Sequence, residues 1–127
     1  MTIPQIILYA ITALMILFIV RRSIQKARMK EYSPNQVAEL QYNDSILLLD
    51  VRSKEERSRH HIQGSLHIPV NELTSKLNLL EKHREKEIIC YCHSGSRSFV
   101  AAAMLQKHGF IASNMKGGIS AWHYHNL

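Results

Sequence analysis

The stretch Ile88-Ile89-Cys90-Tyr91-Cys92-His93-Ser94-Gly95-Ser96-Arg97-Ser98, followed by Phe99-Val100-Ala101-Ala102-Ala103-Met104-Leu105, decides the fold. Ile88 to Tyr91 is a short apolar run of strand length, and Phe99 to Leu105 reads as a helix. Cys92 opens the turn between them. A thiol at that junction faces the free N–H groups of the first helical turn, and the helix dipole favours negative charge there. Both effects stabilise the thiolate, the reactive form of cysteine. Arg97 adds a fixed cation to the same turn. The stretch therefore reads as a nucleophile, Cys92, beside an anion cradle formed by His93, Ser94, Gly95, Ser96, Arg97 and Ser98.

Working outward, strands and helices alternate. Ser33-Pro34-Asn35-Gln36 predicts a helix start, with Ser as N-cap, Pro at the first helical position and Gln at the third; Val37 and Leu40 follow at helical spacing. Ile46 to Leu49 is a continuous apolar run, as in a strand buried on both faces, and it ends in Asp50-Val51-Arg52. Ser53-Lys54-Glu55-Glu56 is a second capping box that predicts a short helix. Gly64 marks a turn, and Leu66-His67-Ile68 a short strand stopped by Pro69. Residues 71–82 place Leu73, Leu77 and Leu80 on one helical face. The helix after Cys92 runs to about His108, with Gly109 at its C-terminal end. Phe110 to Met115 predicts a last strand, Gly117-Gly118 a turn, and Ile119 to His123 a last short helix. This alternation predicts an α/β domain with a small, mainly parallel sheet flanked by helices. Asp50 and Cys92 fall at the carboxyl ends of strands, where such sheets carry their sites.

The N-terminal segment has a different character. Ile3 to Val20 contains no charged side chain. At about 1.5 Å of rise per residue it is a short membrane-spanning helix, and Pro4 lies where a helix start tolerates it. A buried core helix would carry a polar stripe, and a cleaved signal peptide would have basic residues before the apolar run; neither is present. Residues 21–30 carry five basic and no acidic side chains, so most of the +6 formal charge lies beside the apolar run. Basic flanks stay on the cytoplasmic side, which predicts a single-pass protein of the cell membrane with its catalytic domain in the cytoplasm. The expected organisation is a transmembrane anchor over 1–21, a basic juxtamembrane linker over 22–32 that meets anionic lipid, and the α/β domain over 33–127. A nucleic-acid partner is not expected, because the basic stretch lacks stacking aromatic residues.

Cys90 and Cys92 are too close for a disulfide framework and suit a reducing compartment. Cys90 lies inside the apolar strand, either as a buried thiol or as a resolving one. His93 could raise the thiolate fraction of its neighbour when protonated, or project to solvent. The eight histidines do not have a metal-ligand spacing, and His123-x-His125 is isolated, so no metal is expected.

The order of these pieces resembles the rhodanese family. The matching elements are Asp50-Val51-Arg52, His61-Ile62-Gln63-Gly64-Ser65 with Ile68-Pro69, Cys92-x-x-Gly95-x-Arg97-Ser98, Leu105 with Gly109-Phe110, and Lys116-Gly117-Gly118-Ile119 with Ala121-Trp122. The chain looks like the single-domain, membrane-anchored bacterial type. The resemblance implies the family's three-layer fold and transfer of a sulfane sulfur through a persulfide on Cys92. It implies a small sulfur-containing anion or a persulfide as donor, a thiol or protein sulfur acceptor, and no cofactor. It also implies that Arg97 contacts the donor or braces the loop. Asp50 and Arg52 are expected to form a supporting pair beside the site, with a charge-stabilising role open to Arg52, and His61 to order its turn by hydrogen bonds. Two positions depart from the family: Arg57 stands where an aromatic residue is usual, and His60 where a glycine is. Both are expected to alter local packing and the end of the short helix before His61, and to leave the chemistry at Cys92 unchanged. The loop also lacks the paired basic residues of thiosulfate-preferring enzymes.

Two other functions fit parts of the pattern. Cell-cycle phosphatases share this fold and use a Cys, a ring of N–H groups and an Arg, but space Cys and Arg one residue further apart. A non-catalytic, membrane-tethered binding module would keep the fold without needing Cys92, Gly95 and Arg97.

Overall fold

The computed structural model describes residues 1–126; the side chains of residues 25–27 and 124–126 lie outside the description, as does Leu127. The side chain of His125 in the His123-x-His125 pair, and Leu127, the last residue of the expected domain, therefore lie outside the description. Five parallel strands are β1 (Glu31–Tyr32), β2 (Ile46–Asp50), β3 (Leu66–His67), β4 (Glu87–Tyr91) and β5 (Ile111–Met115), in the order β1-β5-β4-β2-β3. The α-helices are α1 (Ile3–Arg28), α2 (Pro34–Leu40), α3 (Lys54–Arg59), α4 (Ser96–Lys107) and α5 (Gly118–Asn126).

Alternation along the strands builds three layers. In β4, Ile88 and Cys90, with Cys92 beyond them, join Leu49, Leu105, Ala101 and Leu80 on one face of the sheet. Ile89 and Tyr91 point the other way and pack with Val37, Leu48, Met115 and Ile119 against α2 and α5. A period of two in a strand puts neighbours on opposite faces, so Cys90 and Cys92 share the face covered by α4.

Both expected capping boxes form. Ser33 Oγ accepts from Gln36 N at 3.2 Å while the Gln36 side chain accepts from Ser33 N at 2.8 Å. Ser53 and Glu56 repeat the exchange at the start of α3. Residues 71–82 differ from expectation. They form two 3₁₀ segments, Val70–Glu72 and Thr74–His83, the second kinked at a non-helical Lys76. No side chain caps either segment. Ser75 Oγ donates to Glu72 O at 2.9 Å, a local side-chain bond that competes with an α-helix. Leu73 and Leu80 still reach the core, so burial is kept without the expected helix type.

The N-terminal junction also differs from a plain linker. Helix α1 continues through the basic stretch to Arg28, Met29 is buried in the core, and β1 follows at once. Strand β1 is tied to β5 by Asn114 N donating to Lys30 O at 3.0 Å and Lys116 N donating to Tyr32 O at 2.9 Å. A two-residue strand has no periodic signature of its own; its existence depends on the β5 edge. Ile3–Ile24 of α1 has a mean hydropathy of 2.4 and is long and apolar enough to cross a membrane by length and composition, with none of it buried inside the protein.

Candidate active site

Helix α4 begins one residue after Gly95, which is in the left-handed region at φ 107° and supplies no side-chain cap. The amides of the first turn are therefore left free for another acceptor. That acceptor is Cys92 Sγ. Gly95 N donates to it at 3.0 Å, and Ser98 Oγ donates to it at 3.3 Å. Burial pushes the Cys92 thiol up. The Ser98 hydroxyl, then the backbone N–H groups of Ser98, Gly95 and Ser94, push it down by more, so its pKa lies below the ordinary thiol value. Cys90 is equally buried but has no such donors; burial, and then the neighbouring Cys92, push its thiol far up.

A second backbone contact holds the loop from behind. Ile119 N donates to Cys92 O at 2.8 Å and Ser120 N to His93 O at 3.2 Å, so the start of α5 grips the loop. Gly118 makes this approach possible. A Cβ there would lie 2.3 Å from His93 O and 2.6 Å from Cys92 O, at a φ of +63°. Asn114, buried in β5, donates from Nδ2 to Gly95 O at 3.2 Å and to Glu31 Oε2 at 3.1 Å.

Arg97 turns to α3. Its Nη1 and Nη2 donate to the two carboxylate oxygens of Glu56 at 2.6 and 2.9 Å. This contact is the main cause that holds the Glu56 carboxyl down at about 2. Glu56 Oε1 also accepts from Ser53 N and Oγ, so one carboxylate caps α3 and braces the Cys92 loop.

Asp50 and Arg52 pair in the interior. Arg52 donates from N and Nε to Asp50 Oδ1 and from Nη2 to Oδ2, each at 3.0 Å, and Nη2 also donates to His60 O at 2.8 Å. Burial opposes ionisation of Asp50, but the hydrogen bonds from Arg52 outweigh it and keep the carboxyl below its ordinary range. Arg57 does more than change local packing. Its Nη1 donates to Asp50 Oδ2 at 3.3 Å and to Ser65 Oγ at 3.0 Å, and its Nη2 to Ser65 O at 2.8 Å. Ser65 Oγ also meets Tyr91 Oη at 2.8 Å, which links Asp50 to the last residue of β4, directly before Cys92. His61 is exposed, with Nδ1 3.4 Å from Arg57 O in the turn after α3.

His93 and Arg97 line a pocket of about 340 Å3 with Arg52, Glu56, Arg59 and His60. It is rich in cations. Partial burial of the His60 ring, which meets His123 edge-on at 4.4 Å, and then the charges of His123, Arg52, His93 and Arg59 hold its pKa below the ordinary imidazole value. Such a pocket favours an anion. Ser94 and Ser96 are exposed on the loop's other side. Among the described residues, no group of three or more His, Cys, Asp or Glu side chains is placed to hold a metal ion.

The sequence pattern placed Cys92 and residues 93–98 together, as the structure does. It did not identify Glu56, Asn114 or Gly118. Glu56 already had a local role in the capping box, and the Gly117-Gly118 doublet reads as an ordinary turn until the approach of α5 to the loop is known.

Residues 33–125 match the Rhodanese-like domain, and the chain belongs to that family. It is 33% identical over 85 residues to a sulfurtransferase from Allochromatium vinosum, covering 66% of this chain and 78% of that protein. It is 41% identical over 81 residues to YrkF, a proposed sulfur carrier protein of Bacillus subtilis, covering 63% of this chain but spanning only 43% of that protein's length. The crystal structure of the single-domain sulfurtransferase RDL2 from Saccharomyces cerevisiae superposes with a TM-score of 0.67 at 28% identity, over 77% of this chain and 91% of that one. Sulfur transfer is thus the general activity of the named relatives.

Proposed function

We propose that this protein moves a sulfane sulfur from thiosulfate or a small persulfide to a thiophilic acceptor through a persulfide on Cys92. The observation that carries this reading is the convergence of Gly95 N and Ser98 Oγ on Cys92 Sγ. In the first step the Cys92 thiolate attacks the outer sulfur of the donor. A new S–S bond forms, the donor's S–S bond breaks, and its electron pair leaves on sulfite or on the donor thiolate. The terminal sulfur of the Cys92 persulfide carries the negative charge, and the loop amides stabilise it. In the second step an acceptor thiolate attacks that terminal sulfur, and Cys92 leaves as a thiolate stabilised by the same donors. His93, Arg59 and His60 attract the anionic donor, while Arg97 holds the loop through Glu56. No metal or organic cofactor takes part in these steps.

Ile3 to Val20 anchor the chain as one transmembrane helix, and the basic residues 21–30 keep the domain on the cytoplasmic side. The 22 residues Ile3–Ile24 rise about 33 Å, which matches a hydrocarbon core of about 30 Å.

Purified full-length protein in detergent tests the reaction. With thiosulfate and a thiol acceptor, sulfite release that depends on Cys92 supports the proposal. Hydrolysis of an aryl phosphate without sulfur transfer would replace it with the phosphatase reading. Neither activity, with any persulfide donor, would leave a binding module.

A further inference from the structure

We propose that the Cys92 loop faces the membrane, with Arg22 and Lys116 at its rim docked on anionic lipid headgroups, so that sulfur is exchanged with a partner held at the bilayer surface. The inference rests on the anchor and sulfur-carrier reading above and adds an orientation to it.

The orientation follows from what surrounds the end of α1 and the residue that follows it. Arg22 lines a pocket of about 430 Å3 together with Phe99, Ser94, Gly95, Ser96 and Lys116. Seven residues further along the chain, Met29 is buried and its Sδ accepts from Gln106 Nε2 at 3.7 Å. Gln106 lies seven residues beyond Phe99. Arg22 therefore stands beside the Cys92 loop at the N-terminal end of α4 and Met29 beside its C-terminal half, so the chain from Arg22 to Met29 runs in the direction of α4. The apolar part of α1 comes before Arg22, so the membrane lies at the N-terminal end of this pair. The N-terminal end of α4 carries the Cys92 loop.

The junction cannot act as a long swivel. Met29 enters the core directly after α1 ends, and Lys30 and Tyr32 are bonded to β5. Arg22 stands two residues past Val20, where the apolar run ends, so the loop beside it sits at headgroup depth. Arg22 and Lys116 supply charge complementary to anionic lipid. Glu31 also lines this pocket, with its carboxylate held by Asn114 Nδ2.

Lipid-borne quenchers test the orientation. Full-length W122F, which removes the one tryptophan, receives single tryptophans at Phe99, Lys116, Phe18 and Tyr42 in turn. Each variant is placed in vesicles of phosphatidylcholine and phosphatidylglycerol. Phe18 lies in the apolar run, and Tyr42 is 74% exposed before β2, at the end of the sheet away from the loop. The expected result is loss of F99W and K116W emission to headgroup-labelled lipid, loss of F18W emission to chain-labelled lipid, and no loss for Y42W. F99W keeps both rim cations and is the primary reporter; K116W, at an exposed site, removes one of them and reports the loop's position from the remaining anchor and Arg22 where F99W disturbs packing. If F18W is quenched while F99W and K116W are not, or if Y42W is quenched as strongly, the orientation is overturned and the anchor stands. If F18W is not quenched, the anchor falls and the orientation with it.

Discussion

Arg97 and Glu56, 41 residues apart, are joined by two hydrogen bonds of 2.6 and 2.9 Å that tie the first turn of α4 to the first turn of α3. A guanidinium used at both Nη atoms is a positioning group, and its loss acts through the loop. We expect E56Q and R97Q each to lower the rate of Cys92 persulfidation about tenfold, equivalent to about 1.4 kcal/mol. The double variant should be little worse than either single one, because both remove the same contact. Additive losses in a donor-concentration series, with R97Q alone raising KM, would instead make Arg97 a donor contact.

The same pair has a pH signature. Glu56 is depressed from 4.5 to about 2, so its stabilisation is fully present above pH 4.5 and is lost as pH falls toward 2. Denaturant unfolding of the wild type should therefore weaken across that window, and E56Q should weaken less over the same range.

Ser98 and the loop amides keep the Cys92 pKa below the ordinary thiol value. The rate of alkylation against pH should therefore have a midpoint below that of a free thiol. S98A should move it upward, because it removes a hydrogen bond to the thiolate. Cys90, pushed far up by burial, should stay unmodified in the folded protein at any pH where Cys92 reacts.

Gly118 permits the start of α5 to reach the Cys92 and His93 carbonyls, and a methyl group there would overlap His93 O. G118A should destabilise the protein by at least about 2 kcal/mol, from the left-handed backbone and the overlap together. It should also slow persulfidation under conditions where the protein remains folded. Unfolding curves and single-turnover rates on the same sample separate the two effects.

Asp50 is fully buried and accepts from both Arg52 and Arg57. D50N should cost about 3 kcal/mol, because it leaves two arginines without their shared counter-charge. R57F, which restores the aromatic residue usual in the family, should be milder than D50N, since the Arg52 pair remains.

The site was readable wherever its chemistry is local. Strand, thiol, loop and helix follow one another over residues 88–105, so Cys92, Gly95 and Ser98 are placed by chain connectivity alone. The two capping boxes were readable for the same reason. Contacts across the fold were not. Glu56 looked fully used within α3, Arg57 looked like a packing change, and Gly118 looked like a turn; each gains its role from an element many residues away. Strand β1 and the 3₁₀ character of Thr74–His83 depend on pairing and packing that no short window contains.

The central claim is that Cys92 carries the sulfur. Intact mass of the full-length protein in detergent, after incubation with thiosulfate and separately with a small persulfide, tests it most directly. The account predicts a gain of one sulfur atom with at least one donor, lost in C92S and kept in C90A. A gain that persists in C92S, or no gain with either donor, would contradict it.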